Sequence, residues 1–117
     1  MKSAGNKSAR KTRLSHDLNG ARAAVVKALA HPSRMLIADA LVRGEKTVCE
    51  LTGLVGSDIS TVSKHLALMK DAGLVVSDKR GLNSFYRLTC PCLGDFFCCI
   101  DSMARSRARK LTAALEA

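Results

Sequence analysis

Four of the five cysteines in this 117-residue sequence fall within ten residues, in the run TCPCLGDFFCCI at positions 90, 92, 98 and 99; the fifth is Cys49. Thiolates are soft ligands, so such a cluster suits trivalent arsenic, lead, cadmium or copper(I) over hard cations. Cys90 and Cys92 flank Pro91 where a helix is expected to begin, and a helix N-terminus favours the thiolate form. Cys92 and Cys98 stand six residues apart, ~9 Å along a straight helix. One ion reaching both therefore needs an unwound first turn or ligands from a second subunit. Cys98 and Cys99 point about 100° apart on a helix. Cys99 falls on the apolar side with Phe96 and Met103, where a buried structural thiol is the competing reading. A dithiol such as Cys92 with Cys98 or Cys99 also suits redox or persulfide sensing. No histidine follows His65, so the cluster has no imidazole beside it in the sequence to add to its thiols.

A second group of residues is suited to duplex DNA. Ser60, Thr61, Ser63, Lys64 and His65 lie at the start of an amphipathic stretch, on the side opposite its apolar residues. Hydroxyls there can bond phosphates or base edges, and lysine and histidine can donate to guanine or phosphate. The competing reading is an ordinary solvated helix face, with Ser60 assisting the cap and His65 packing against a neighbouring element. Lys79 and Arg80 occupy a basic turn further on, where they can reach a groove or serve only solubility. His31 before Pro32 reads as a turn or cap residue, and Arg34 as a phosphate contact or half of an internal ion pair.

The elements that must position these residues follow from periodicity and punctuation. Residues 1–13 are polar with five positive charges and no acid, and are expected to be a disordered basic arm ahead of one domain over 14–117. A first helix is expected over about 16–30, and a second over 32–43 with Pro32 in its first turn. Thr47-Val48-Cys49-Glu50 has capping-box form and should open a third helix through Val55, buried by Val48, Leu51 and Leu54. After Gly56-Ser57, Asp58 is placed to cap a fourth helix to about Ala72, with Ile59, Val62, Leu66 and Met69 inward. Two short strands, 74–77 and 84–88, flank a glycine-containing tip. Pro91 then opens a last helix to about 115. A short helix, tight turn and second helix followed by a basic hairpin make a winged helix-turn-helix, a mainly α fold with a β-hairpin wing.

Composition narrows the function classes. The net charge of +9 favours a polyanionic partner. Aromatic residues make up only 3%, too few for the stacking platforms of single-strand binders. No apolar run approaches the ~20 residues of a membrane span. No apolar segment follows the basic N-terminus, so no secretory signal is read, and a cytoplasmic protein with reduced thiols is expected. No nucleophile–base constellation, phosphate loop or hydrolase metal motif is present, so an enzyme is not expected, and no cofactor is required.

From Ala28 to Leu88 the sequence resembles the ArsR/SmtB family of bacterial repressors. KALAHPSRMLIADAL is similar to that family's LADPTRLRIL opening. VCELTGLVGSDISTVSKHLALMKDAGLV is similar to its helix-turn-helix, and KRGLNSFYRL to its wing. The resemblance implies a homodimer paired through the first and last helices, docked on a two-fold operator and released when a ligand binds. Cys49 lies where arsenite sensors of the family have ELCVCDL, but Lys46-Thr47 replaces the first cysteine. That departure puts the family's third-helix site in doubt and leaves trivalent arsenic, or another soft metal ion, at Cys90, Cys92, Cys98 and Cys99 as the expected inducer. The other expectations are a redox or persulfide sensor on the same scaffold, and an architectural winged-helix protein with structural cysteines.

Overall fold

The computed structural model describes the backbone of residues 2–116 and the side chains of residues 16–116. The chain runs α1 (Lys2–Leu29), α2 (Pro32–Val42), β1 (Lys46–Thr47), α3 (Val48–Val55), α4 (Ile59–Asp71), β2 (Val75–Arg80), β3 (Asn83–Leu88) and α5 (Leu93–Glu116).

Local chemistry sets most of these boundaries. His31 is extended, and its Nδ1 accepts from the Ser33 backbone N–H at 3.0 Å, capping α2 with Pro32 in the first turn. Thr47 and Glu50 form the reciprocal capping box of α3, with both backbone N–H groups donating at 3.2 Å. Gly56 ends α3 at φ 76°, a left-handed turn that a side chain would strain. Asp58 then caps α4 by accepting from the Thr61 N–H at 3.2 Å.

β2 and β3 form an antiparallel hairpin with Val75 opposite Leu88 and Arg80 opposite Asn83, closed by Gly81-Leu82. β1 adds a third strand on the far side of β3, pairing Thr47 with Phe85. At two residues it is too short to announce itself by alternation. Ile37, Leu51, Val62, Leu66 and Met69 are fully buried, and Leu88 and Phe97 close the same core. The helix-turn-helix and the wing are therefore braced on one hydrophobic cluster.

The helical backbone of α1 starts at Lys2 and includes the stretch read as a basic arm. Alanine, lysine and arginine there favour helix, and no proline interrupts them. The side chains of 1–13 lie outside the described residues. Ile59 is 54% exposed because it opens α4 on the side away from the core. Leu54, like Ile59 expected inward, instead lines with Leu36 an open groove of about 520 Å³ between α2 and α3. The last helix begins at Leu93, leaving Cys90, Pro91 and Cys92 in the turn before it.

α5 touches the core only near its start. Every residue from Asp101 to Glu116 is exposed, including Met103, Leu111 and Leu115. On α1, Leu18 and Val26 are likewise bare. The radius of gyration is 19.1 Å, well above the roughly 13 Å of a compact chain this long. The two long helices project from the core with apolar stripes uncovered. Among the described residues, no helix is long and apolar enough to cross a membrane.

Candidate nucleic-acid interface and thiol cluster

Burying Val62, Leu66 and Met69 turns the opposite face of α4 outward. Ser60, Thr61, Ser63 and Lys64 are all exposed on it. Two of them serve the cap as well. Ser60 Oγ donates to Asp58 Oδ2 at 2.9 Å, and the Thr61 N–H holds the other carboxylate oxygen. Hydrogen bonds from Thr61 and then Ser60 keep the Asp58 carboxyl below its usual range. Ser63 and Lys64 carry no such local commitment among the described residues.

His65 stands apart from this face. It is partly buried, and its ring packs against that of His31, with centroids 4.6 Å apart. Burial, then His31 and Arg34, push its pKa below the ordinary histidine value. It joins α4 to the α1–α2 turn rather than packing on the wing. Arg34 makes no ion pair among the described residues; its guanidinium donates to the Ala28 carbonyl at 2.9 Å, closing the end of α1.

The wing places its two cations differently. Lys79 is exposed and makes no ion pair among the described residues. Arg80 is engaged by Glu45 and Asp78, and stacks on Phe85 at 4.6 Å. Glu45 lies 35 residues earlier in the chain, so no local pattern could have paired it with the wing. At the foot of the hairpin, Thr89 donates its N–H to the Leu74 carbonyl at 2.9 Å and its hydroxyl to the Gly73 carbonyl at 2.7 Å. The residue before Cys90 is thereby tied to the segment that leaves α4.

All five cysteines are free and exposed, Cys99 included, so the buried reading of that thiol does not hold in one subunit. Cys90 and Cys92 are brought together in the turn. The neighbouring Cys90 thiol, first by hydrogen bonding, raises the Cys92 pKa, with Asp95 adding to the rise. The lowered value expected from the helix N-terminus is not what the turn produces for Cys92. Cys98 and Cys99 lie further along α5, and among the described residues no three potential metal-binding groups stand together within one subunit. Cys49 is exposed on α3, away from the other four in the chain.

A capped α3, a left-handed turn, an outward-facing α4 and a hairpin braced beside it define a winged helix-turn-helix protein. Residues 31–77 match the profile described as "Bacterial regulatory protein, arsR family". A regulator of Escherichia coli, "HTH-type transcriptional regulator YgaV", is 39% identical over 67 residues, covering 56% of this chain and 68% of that protein. The chain belongs to the arsR family of bacterial regulatory proteins. The "Biofilm growth-associated repressor" of Agrobacterium fabrum is 36% identical over 66 residues, and the match spans 56% of each protein. The solution structure of a homodimeric winged helix-turn-helix domain from Mycobacterium bovis, described as a possible ArsR-family regulator, superposes with a TM-score of 0.71 at 28% identity. That match covers 82% of this chain and 89% of the other.

Proposed function

We propose that this chain is a homodimeric, sequence-specific repressor of transcription, released from its operator when trivalent arsenic or another thiophilic ion binds its clustered thiols. The observation that carries the DNA-binding half is the outward face of α4, with Thr61, Ser63 and Lys64 free of the core and a wing beside it. Ser60 and Lys79 extend that surface. His65 and Arg80 are each held by other side chains in the free protein, His65 against His31 and Arg80, at the wing tip, by Glu45 and Asp78. The homodimer is supported by the uncovered apolar stripes of α1 and α5 and by the homodimeric relative in the fold comparison. It would present two α4 helices to successive major grooves, about 34 Å apart.

The inducer half rests on soft-ligand chemistry. Cys90 and Cys92 supply two adjacent thiols, and further ligands would come from Cys98 and Cys99 across the dimer. Ligation exchanges oxygen on the arsenic for sulfur, and each thiol releases its proton to a departing water. The Thr89 tie gives the turn a direct mechanical connection to the end of α4. Ligand and DNA must then weaken each other reciprocally. The proximity of Cys90 and Cys92 also favours a second reading, a redox or persulfide sensor, in which an oxidant or sulfane sulfur acts on that pair.

The experiment is DNA release under strict reduction, titrated with arsenite, methylarsenite, cadmium, lead, zinc and persulfide. Wild type and Cys49→Ser are expected to respond to trivalent arsenic, and a variant lacking Cys90, Cys92, Cys98 and Cys99 is expected not to. A full response in the four-thiol variant, or its loss with Cys49→Ser alone, overturns the site. Release by persulfide or oxidant alone moves the function to the second reading.

A further inference from the structure

Arg80 sits at the wing tip, the position from which a cation would reach phosphate, yet its guanidinium is already occupied. Nη1 and Nη2 fork onto the two carboxylate oxygens of Glu45 at 2.5 and 3.0 Å, and Nε donates to Asp78 Oδ2 at 2.8 Å. Asp78 is shared with Arg87 at 3.3 Å, so two acids balance two bases in this corner of the sheet. The stack on Phe85 fixes the plane of the fork. Glu45 and Arg80 are both substantially exposed, with side-chain exposures of 37% and 49%. Such a pair adds little to folding stability. Its consequence is where it leaves the charge.

A guanidinium offers phosphate the same two-pronged geometry that it here gives to a carboxylate. We propose that Glu45 is a specificity-determining residue, an internal anion that fills the phosphate-binding fork of Arg80 and withholds it from DNA of random sequence. For Arg80 to reach a random phosphate it must leave Glu45, which then gathers a cation of its own. The net counterion release is close to zero, and the wing gains nothing from a nonspecific contact. Lys79 beside it has no such partner among the described residues and remains available to any duplex.

The proposal rests on the DNA-binding reading, and its test separates the two. Binding of the full chain to a short random-sequence duplex is followed by fluorescence anisotropy between about 50 and 200 mM salt, a range over which phosphate contacts are resolved. Glu45→Gln is expected to bind several-fold tighter than wild type, with the slope of log K against log salt steeper by about 0.9, one phosphate contact. Arg80→Ala alone is expected to leave the slope unchanged, and the Glu45→Gln, Arg80→Ala double variant to return to the wild-type slope. Circular dichroism checks that all four proteins are equally folded. An unchanged slope in Glu45→Gln, with or without lost affinity, makes Glu45 a structural brace and overturns the proposal. A slope shallower by about 0.9 in Arg80→Ala alone overturns it too, because Arg80 would already be on phosphate. Failure of wild type to bind any duplex removes the DNA-binding reading itself, and the proposal with it.

Discussion

Met103 projects from the middle of α5 with 68% of its surface exposed, and Leu111 lies two turns on at 55%. If α5 pairs across a two-fold axis, truncating Met103 to alanine removes apolar contact at two symmetric places. Full burial of a methionine or leucine side chain is worth about 1.5–3 kcal/mol. Two-thirds of that is roughly 1–2 kcal/mol per subunit, hence about 2–4 kcal/mol per dimer. At about 1.4 kcal/mol per decade, the dimer dissociation constant should rise roughly 30- to 700-fold. The monomer fold should hold, because the core reaches α5 through Phe97 and not through Met103. Sedimentation equilibrium of wild type, Met103→Ala and Leu111→Ala, with circular dichroism alongside, measures both quantities. Dimer affinity within threefold of wild type in both variants would refute the assignment of this stripe to the dimer seam.

Leu66→Ala, at a fully buried position on the inner face of α4, should lower unfolding free energy by about 2–5 kcal/mol in urea titration; a change under 1 kcal/mol would contradict the packing described. Replacing Thr61 and Lys64 by alanine should each cost about 1–3 kcal/mol of specific DNA affinity, measured by competition against random duplex, while leaving the fold intact. His65 titrates below its ordinary value of 6.5. The unfolded chain therefore binds its proton more readily, and this group's contribution to stability is lost as pH falls from 6.5 through the folded pKa. His65→Gln should flatten the dependence of melting temperature on pH across that window, and an undiminished slope would remove His65 as its source. Deleting residues 1–13 should weaken specific and random DNA binding together and flatten the salt dependence; an unchanged salt slope would show that their five charges stay clear of DNA.

What the sequence disclosed was mostly local. Thr47 with Glu50, Asp58, Pro32 and Gly56 each act within one turn of the chain, so their spacing alone placed α2, α3 and α4. The outward face of α4 followed from the periodicity of Val62, Leu66 and Met69. Long-range contacts left no such trace. Glu45 meets Arg80, and His31 meets His65, only because the sheet and the helix-turn-helix fold back on one another. The exposure of Ile59 and Leu54, both expected inward, has a related cause. Apolar periodicity reports that a face exists but not whether a neighbour covers it. Among the thiols, spacing revealed the cluster, while the pairing of Cys90 with Cys92 depended on α5 starting two residues after Pro91.

Enrichment of a random duplex library on the reduced 117-residue chain, followed by sequencing, tests the DNA-binding role most directly. A homodimer presenting two α4 helices should select a two-fold symmetric site with half-sites centred about 10–10.5 base pairs apart, or a multiple of that spacing. Alanine at Lys64 should relax the preference at defined positions within each half-site. A library that emerges without a two-fold motif, bound equally well by the Thr61→Ala, Lys64→Ala double variant, would contradict sequence-specific repression and leave only a basic, architectural winged helix.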